Sequence, residues 1–204
     1  MKEGYLRVST VLQPFAGLKD IDPEVLANAA SRGQVVHTLC EYIAENIPLM
    51  SDDVSDLVRK YALVDQHFEK ELVKVHTFVE SFQKWAEGKE FIVKPERLYD
   101  EEHMITGEVD MVYRDNEGNL VLVDLKTPAN ESKTWFLQGS AYSYMAKKAG
   151  IHINRIEFVK LSRTGGKPRV YHYQEDFALF LNVLRTYRYF YSGEQSAQSS
   201  LDYL

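Results

Sequence analysis

Two aspartates and a lysine stand out as residues that could do chemistry together. Asp110 closes Gly107-Glu108-Val109-Asp110, and Asp124 and Lys126 share Val123-Asp124-Leu125-Lys126. Asp124 and Lys126 are two apart in a run that is otherwise apolar (Leu120 to Val123, then Leu125), the pattern of a buried strand, so both side chains leave the same face. A carboxylate and an ammonium at the end of such a strand are costly unless each meets a partner or a metal ion. Between the two segments, Asp115-Asn116-Glu117-Gly118-Asn119 reads as a hairpin turn that folds Asp110 back toward Asp124. Two carboxylates converging beside one backbone carbonyl make a hard, all-oxygen site suited to Mg2+ or Mn2+. A lysine next to it can orient or deprotonate a water, or offset charge on a pentavalent phosphorus. An ordinary ion pair at a strand end would use the same Asp124 and Lys126, so their spacing alone leaves both readings open.

These residues need elements to position them. Asp22-Pro23 supplies an N-cap and a first-turn proline for a helix to about Asn46, interrupted at Gly33 and ended by Pro48. From Ser51 to Gly88 one apolar stripe (Leu57, Tyr61, Val64, Phe68, Leu72, Val75, Phe78, Val79, Phe82) predicts a second long helix. The period then changes. Strands are expected over 90–98, 104–113 and 120–125, a helix over 132–149 stopped by Gly150, strands over 153–161 and 169–173, and a closing helix over 175–191. The fold class is therefore α/β: a central mixed β-sheet flanked by helices, with an N-terminal helical layer. No internal repeat or linker divides it, so 1–204 is expected to be a single domain, with a helical layer over 1–88, an αβ core over 89–191 and a frayed tail over 192–204. On the helix after the Asp-Lys strand, Gln138 and Tyr142 are four apart and share a face, where they could overhang the carboxylates and hold a phosphate or a base. A polar rim residue and a half-buried tyrosine would look the same.

Taken together the pieces resemble the RecB-type branch of the PD-(D/E)XK nuclease superfamily. The matching segments are Gly107-Glu108-Val109-Asp110, Asp124-Leu125-Lys126, Gln138-Gly139-Ser140-Ala141-Tyr142 and, far upstream, Arg32-Gly33-Gln34-Val35-Val36-His37. The opening Val8-Ser9-Thr10-Val11-Leu12 also looks like the start of such domains. The resemblance implies a restriction-endonuclease-like fold and metal-dependent hydrolysis of phosphodiester bonds. Asp110, Asp124, the Leu125 carbonyl and His37 would be metal ligands, and Asp110, Asp124 and Lys126 the catalytic set. Imidazole suits Mn2+ better than Mg2+, so His37 hints at manganese; without the resemblance, a helix histidine hydrogen-bonded in the layer beneath is the simpler reading. Glu96 on the first strand is a further acidic candidate, although Lys94 and Arg97 beside it suggest a surface pair. Val109 stands where the family's eponymous proline would sit.

Composition narrows the rest. Cys40 is the single cysteine, so the chain forms no intrachain disulfide and, unlike several RecB-like nucleases, holds no iron–sulfur cluster. The expected kind is therefore the cluster-free one, similar to compact exonucleases of phage or organellar type. No stretch approaches a signal peptide's apolar core or a membrane span, which points to a cytoplasmic protein. The net charge of −6 argues against a nucleic-acid partner. Its distribution is kinder: residues 145–190 carry Lys147, Lys148, Arg155, Lys160, Arg163, Lys167, Arg169, Arg185 and Arg188 against Glu157, Glu175 and Asp176. Phosphate contacts are expected from that quarter, with Lys147, Arg163 and Lys167 joining Gln138 and Tyr142 as substrate-binding candidates. The expectation is an exonuclease on single-stranded DNA or duplex ends, serving recombination, repair or phage DNA processing, with room for a homo-oligomer or a helicase partner. The rivals are a catalytically inactive DNA- or partner-binding module of the same fold, a structure-specific or RNA-directed endonuclease, and an unrelated α/β protein with a coincidental ion pair.

Overall fold

A computed structural model describes residues 2–61, 68–92 and 97–191. Glu96 and the expected tail over 192–204 lie outside the described residues, as does the middle of the expected helix from Ser51 to Gly88.

Eight strands and six α-helices are seen among the described residues. In chain order they are β1 (Leu6–Arg7), α1 (Val8–Leu12), α2 (Pro23–Ala44), α3 (Ser51–Tyr61), α4 (Phe68–Ala86), β2 (Glu90–Ile92), β3 (Leu98–Asp100), β4 (Ile105–Gly107), β5 (Met111–Arg114), β6 (Leu120–Lys126), α5 (Thr134–Lys148), β7 (Arg155–Lys160), β8 (Arg169–Tyr173) and α6 (Phe177–Tyr191). The larger sheet has the order β2-β5-β6-β7-β8, mixed because β6 and β7 run parallel while the other pairs are antiparallel. A smaller sheet has the order β1-β4-β3.

Local chemistry accounts for the element ends. Asp22 Oδ1 accepts from the N–H groups of Glu24 (2.8 Å) and Val25 (3.4 Å), capping α2 ahead of Pro23. Asp115 Oδ1 accepts from Glu117 N and Asn119 N and so forms the β5–β6 turn, with Gly118 at φ 85°. Asp176 Oδ1 accepts from Leu179 N and starts α6.

Strand parity divides the core in two. Val121, Val123 and Leu125 of β6 join Met111, Tyr113, Val159 and Leu161 beneath the helical layer of α2, α3 and α4. Leu122 on the other face joins Val112, Ile156 and Phe158 beneath α1, α5 and α6. Val121, Leu122, Val123 and Leu125 of β6 are fully buried, each contributing about 1.5–3 kcal/mol. Asp124 and Lys126 have the parity of Leu122 and so face α5.

Several expected elements differ. The helix expected from Ser51 to Gly88 is seen as two, α3 and α4, packed on each other, and of the strand expected over 90–98, Glu90–Ile92 is β2 of the larger sheet while Leu98 opens β3 of the smaller one. Gly33 does not interrupt α2, which runs unbroken over 22 residues. A single glycine costs a helix only about 1 kcal/mol, and the burial of Val35, Val36, Leu39 and Cys40 outweighs it. The strand expected over 104–113 is broken at Glu108, Val109 and Asp110: its first half (β4) belongs to the small sheet and its second (β5) to the large one. Hydropathy alone reads through such a break, because Val109 is itself wholly buried.

Helix α5 lies very close to β7. A Cβ on Gly139 would come within 2.7 Å of Ile156 Cγ2 and 2.9 Å of Phe158 Cε2. Gly139→Ala should therefore lower stability by about 1–2 kcal/mol, because overpacking exceeds the gain in helix propensity. Urea unfolding midpoints check this, and an unchanged or higher midpoint would show that α5 can shift at no cost.

Candidate active site

The site forms where β5 stops short of the end of β6. In the β5–β6 register Met111 faces Val123, so Asp110 falls level with Asp124, one step past the last backbone pair. There the Asp110 side chain replaces the missing strand: its Oδ2 accepts the Leu125 N–H at 2.7 Å. The Lys126 carbonyl accepts from Leu161 N on the β7 side. Because successive carbonyls along a strand face opposite edges, the Leu125 carbonyl faces the Asp110 side.

The remaining side chains come from two helices. His37, on α2, lies with Nδ1 3.2 Å from Asp110 Oδ1. Gln138, on α5, accepts from Lys126 Nζ through Oε1 at 3.0 Å and donates through Nε2 to the Tyr142 hydroxyl at 3.1 Å. Tyr142 packs on Gly107 so closely that a Cβ there would lie 2.3 Å from the ring, so only glycine fits. Asp124 is 3% exposed. Lys126 Nζ lies 2.5 Å from its Oδ1, off the directions of a hydrogen bond, so this buried oxygen is charge-balanced but has no directional donor. That is the state expected of a carboxylate oxygen shaped to meet a cation rather than an N–H.

Electrostatics separate the two carboxylates. For Asp110, burial acts to raise the pKa, but His37, Lys126 and the Leu125 N–H outweigh it and hold the group below the ordinary range. For Asp124, burial dominates; Lys126 opposes it, Asp110 adds to it, and the carboxyl is pushed up to about 6. Burial would lower His37, yet the neighbouring Asp110 leaves its pKa raised. Tyr142 is raised by burial and by the charge of Asp124, and stays a neutral phenol.

These groups line a cleft of about 210 Å³ together with Arg7, Ser9, Arg97, Thr106, Gly107 and Glu108. The structure thus brings together Asp110, Asp124, Lys126, His37, Gln138 and Tyr142. It places others elsewhere. Lys147 is exposed in the last turn of α5, and Lys167 is exposed in the β7–β8 loop. Arg163 lines a separate hollow of about 730 Å³ bounded by α2, α4 and Thr127-Pro128-Ala129. Sequence reasoning missed Arg7, Ser9 and Arg97 as cleft residues and gave Glu108 no role; the signals were the Gly-x-x-Asp segment containing Glu108 and the Val8–Leu12 segment containing Ser9. It also missed a second cluster, Asp100, Glu102 and His103, whose ligand atoms lie within 4.8 Å of one another. Lys148 already supplies a cation there, with Nζ 2.6 Å from Glu102 and 3.9 Å from Asp100.

A mixed sheet flanked by helices, with two carboxylates and a lysine at the end of its central hairpin, is a restriction-endonuclease-like fold. The chain belongs to the PD-(D/E)XK nuclease superfamily, whose family model matches residues 11–192. Nucleases of this superfamily use divalent metal ions. Among curated proteins none matches the chain. Two solved structures are similar over most of its length. The crystal structure of SSO0001 has a TM-score of 0.42 and 12% identity, covering 92% of this chain and 76% of that one. A protein of Eubacterium rectale named as a candidate exonuclease has a TM-score of 0.48 and 11% identity, covering 90% of this chain and 78% of its own.

The raised Asp124 pKa has a consequence for stability without metal. An acid whose folded pKa lies above its unfolded value contributes its full stability at low pH and loses it as pH rises through the folded value. The ionised carboxylate therefore opposes folding above pH 6 by roughly 2–3 kcal/mol before partners relax. In EDTA, Asp124→Asn should be more stable than the wild type at pH 8 by about 1–2 kcal/mol, with the difference vanishing toward pH 4. Urea midpoints at the two pH values test this, and a variant less stable at pH 8 would refute it.

Proposed function

We propose that this chain is a divalent-metal-dependent deoxyribonuclease that hydrolyses phosphodiester bonds in this cleft, acting as an exonuclease on single strands or duplex ends. The observation that carries the reading is the convergence of Asp110, Asp124 and Lys126 on one buried spot where an Asp124 oxygen lacks a directional donor. The donor set fits a hard divalent cation: the two carboxylates, the Leu125 carbonyl and the His37 imidazole would hold it, with the histidine favouring Mn2+ over Mg2+. Bound there, the ion would act as a Lewis acid on a phosphoryl oxygen and lower the pKa of a water.

This chain's own residues do the rest. His37 serves as counter-ion to Asp110, whose charge in turn favours the protonated imidazole. Lys126 offsets charge on the phosphate and orients the attacking water, and Gln138 fixes the ammonium through its hydrogen bond while Tyr142 fixes Gln138. No helix among the described residues is long and apolar enough to cross a membrane, and we place the protein in the cytoplasm, working on DNA ends in recombination, repair or phage DNA processing.

End-labelled single- and double-stranded DNA with Mn2+ or Mg2+ tests this. Wild type should degrade it, and Lys126→Ala, Asp110→Asn and EDTA should each reduce the rate by at least about 100-fold. Mononucleotides and short oligomers identify an exonuclease; discrete internal fragments would move the reading to an endonuclease. Mn2+ should also raise the melting temperature of wild type and leave that of Asp110→Asn unchanged. A protein that gains stability from metal and binds DNA, yet cuts no substrate, would be a binding module of the same fold.

A further inference from the structure

Three of the residues that line the cleft have no part in holding a cation: Arg7, Ser9 and Arg97. Arg7 and Ser9 precede residue 11, where the family match begins. Arg97 Nη2 lies 2.6 Å from Glu108 Oε1, with Arg97 23% and Glu108 52% exposed. Glu108 also lines the cleft. It stands two residues before Asp110, across the wholly buried Val109, so Val109 anchors the segment while Glu108 and Asp110 both border the cavity.

We propose that Arg97, with Arg7 and Ser9 lining the same cleft, is a phosphate-binding subsite near the carboxylates, and that Glu108 is an internal anion which an arriving phosphate displaces from Arg97. This rests on the nucleic-acid reading of the cleft given above. Three points support it. A guanidinium presents a planar fork that suits a phosphate as well as a carboxylate, so the exchange keeps the charge-assisted hydrogen bonds. The Glu108 carboxylate is half in solvent, so its pair with Arg97 is weakly held and the released carboxylate is readily hydrated. The cleft also gathers the cations Arg7, Arg97 and Lys126 and the His37 imidazole, so a phosphate that takes the place of Glu108 on Arg97 enters a cavity lined by positive groups. Glu108 in this role keeps Arg97 from closing permanently on the site's own aspartates, and sets a threshold that weak anions do not pass.

The test is a binding titration of the full chain with fluorescent single-stranded oligonucleotides at low salt, in EDTA and in Ca2+. Arg97→Ala should weaken binding roughly tenfold and lower the slope of log affinity against log salt by about 0.7, the share of one phosphate contact on a single strand. Arg97→Lys, which keeps the charge and the fold but not the fork, should lie between. Glu108→Gln should tighten binding severalfold in the wild type and have no effect in the Arg97→Ala background. Oligonucleotides ending in a 5′-phosphate, a 3′-phosphate or only hydroxyls separate the sources. An Arg97 effect confined to one phosphorylated end identifies a terminal phosphate, and an equal effect on all identifies an internal phosphodiester. A Glu108→Gln gain that persists without Arg97 is only the removal of a negative charge and overturns the proposal, as does wild type that binds no oligonucleotide in either condition. Cleavage with normal Arg97→Ala affinity would leave the nuclease reading standing and this one refuted. Binding that follows the cycle without cleavage does the reverse.

Discussion

Strand β6 runs further than its neighbour β5, and its last amide on that side, the Leu125 N–H, has no strand to bond. A buried backbone donor left in that state costs as much as a lost hydrogen bond. The Asp110 carboxylate takes it at 2.7 Å, and the other features of the site follow from that substitution. A side chain in place of a backbone carbonyl requires the chain to leave the ladder, so the segment breaks at Glu108–Asp110 and continues as β4 in the smaller sheet. The break brings Gly107 under Tyr142 and Glu108 to the mouth of the cleft. It also leaves the Leu125 carbonyl facing the same gap, ready to act as a ligand alongside the carboxylate that its own N–H has fixed.

The two layers of the fold meet at this gap. Lys126 is oriented from the α5 side by Gln138, and Asp110 from the α2 side by His37. Neither layer alone could hold both, because Asp124 and Lys126 share a face of the sheet with Leu122 while α2 packs on the other face. Helix α2 reaches the site through His37, which meets Asp110 in the segment between β4 and β5. Gly33, one turn before His37, lies where an added Cβ would be 3.6 Å from Thr127 Oγ1, which is ordinary contact. The motif glycine is therefore less tightly constrained at this contact than Gly107 or Gly139.

Much of this could be read from residue order. The face shared by Asp124 and Lys126 follows from strand period, the approach of Asp110 from the hairpin turn, and the pairing of Gln138 with Tyr142 from helical spacing. What could not be read is long-range register. The residues over 104–113 are apolar enough for one strand, and nothing local shows that its halves join different sheets. Arg97 carries no periodic signal, and its place in the cleft depends on where β3 docks. Charge counted along the chain does not show which cations the fold already uses. Of the basic residues over 145–190, Arg155 pairs with Asp115 and Glu157, Lys148 with Glu102, Lys160 with the Ala129 carbonyl, and Arg188 with the His103 carbonyl, while Lys147, Arg163 and Lys167 are exposed. A cation bound to its own fold is a poor reserve for phosphate, whereas Arg97, paired with a half-exposed carboxylate, is a better one.

The opposite pKa shifts of Asp110 and Asp124 follow from the same geometry. Asp110 has a backbone donor and an imidazole beside it, and keeps its charge cheaply. Asp124 has burial and one ammonium, Lys126, against it, and burial dominates, so its ionised form is the costlier of the two. Filling the site with apolar residues would make a more stable protein. The burial that makes Asp124 costly to ionise is also what sets its carboxylate beside Asp110 and Lys126, so the instability of Asp124 and its proposed usefulness have one cause.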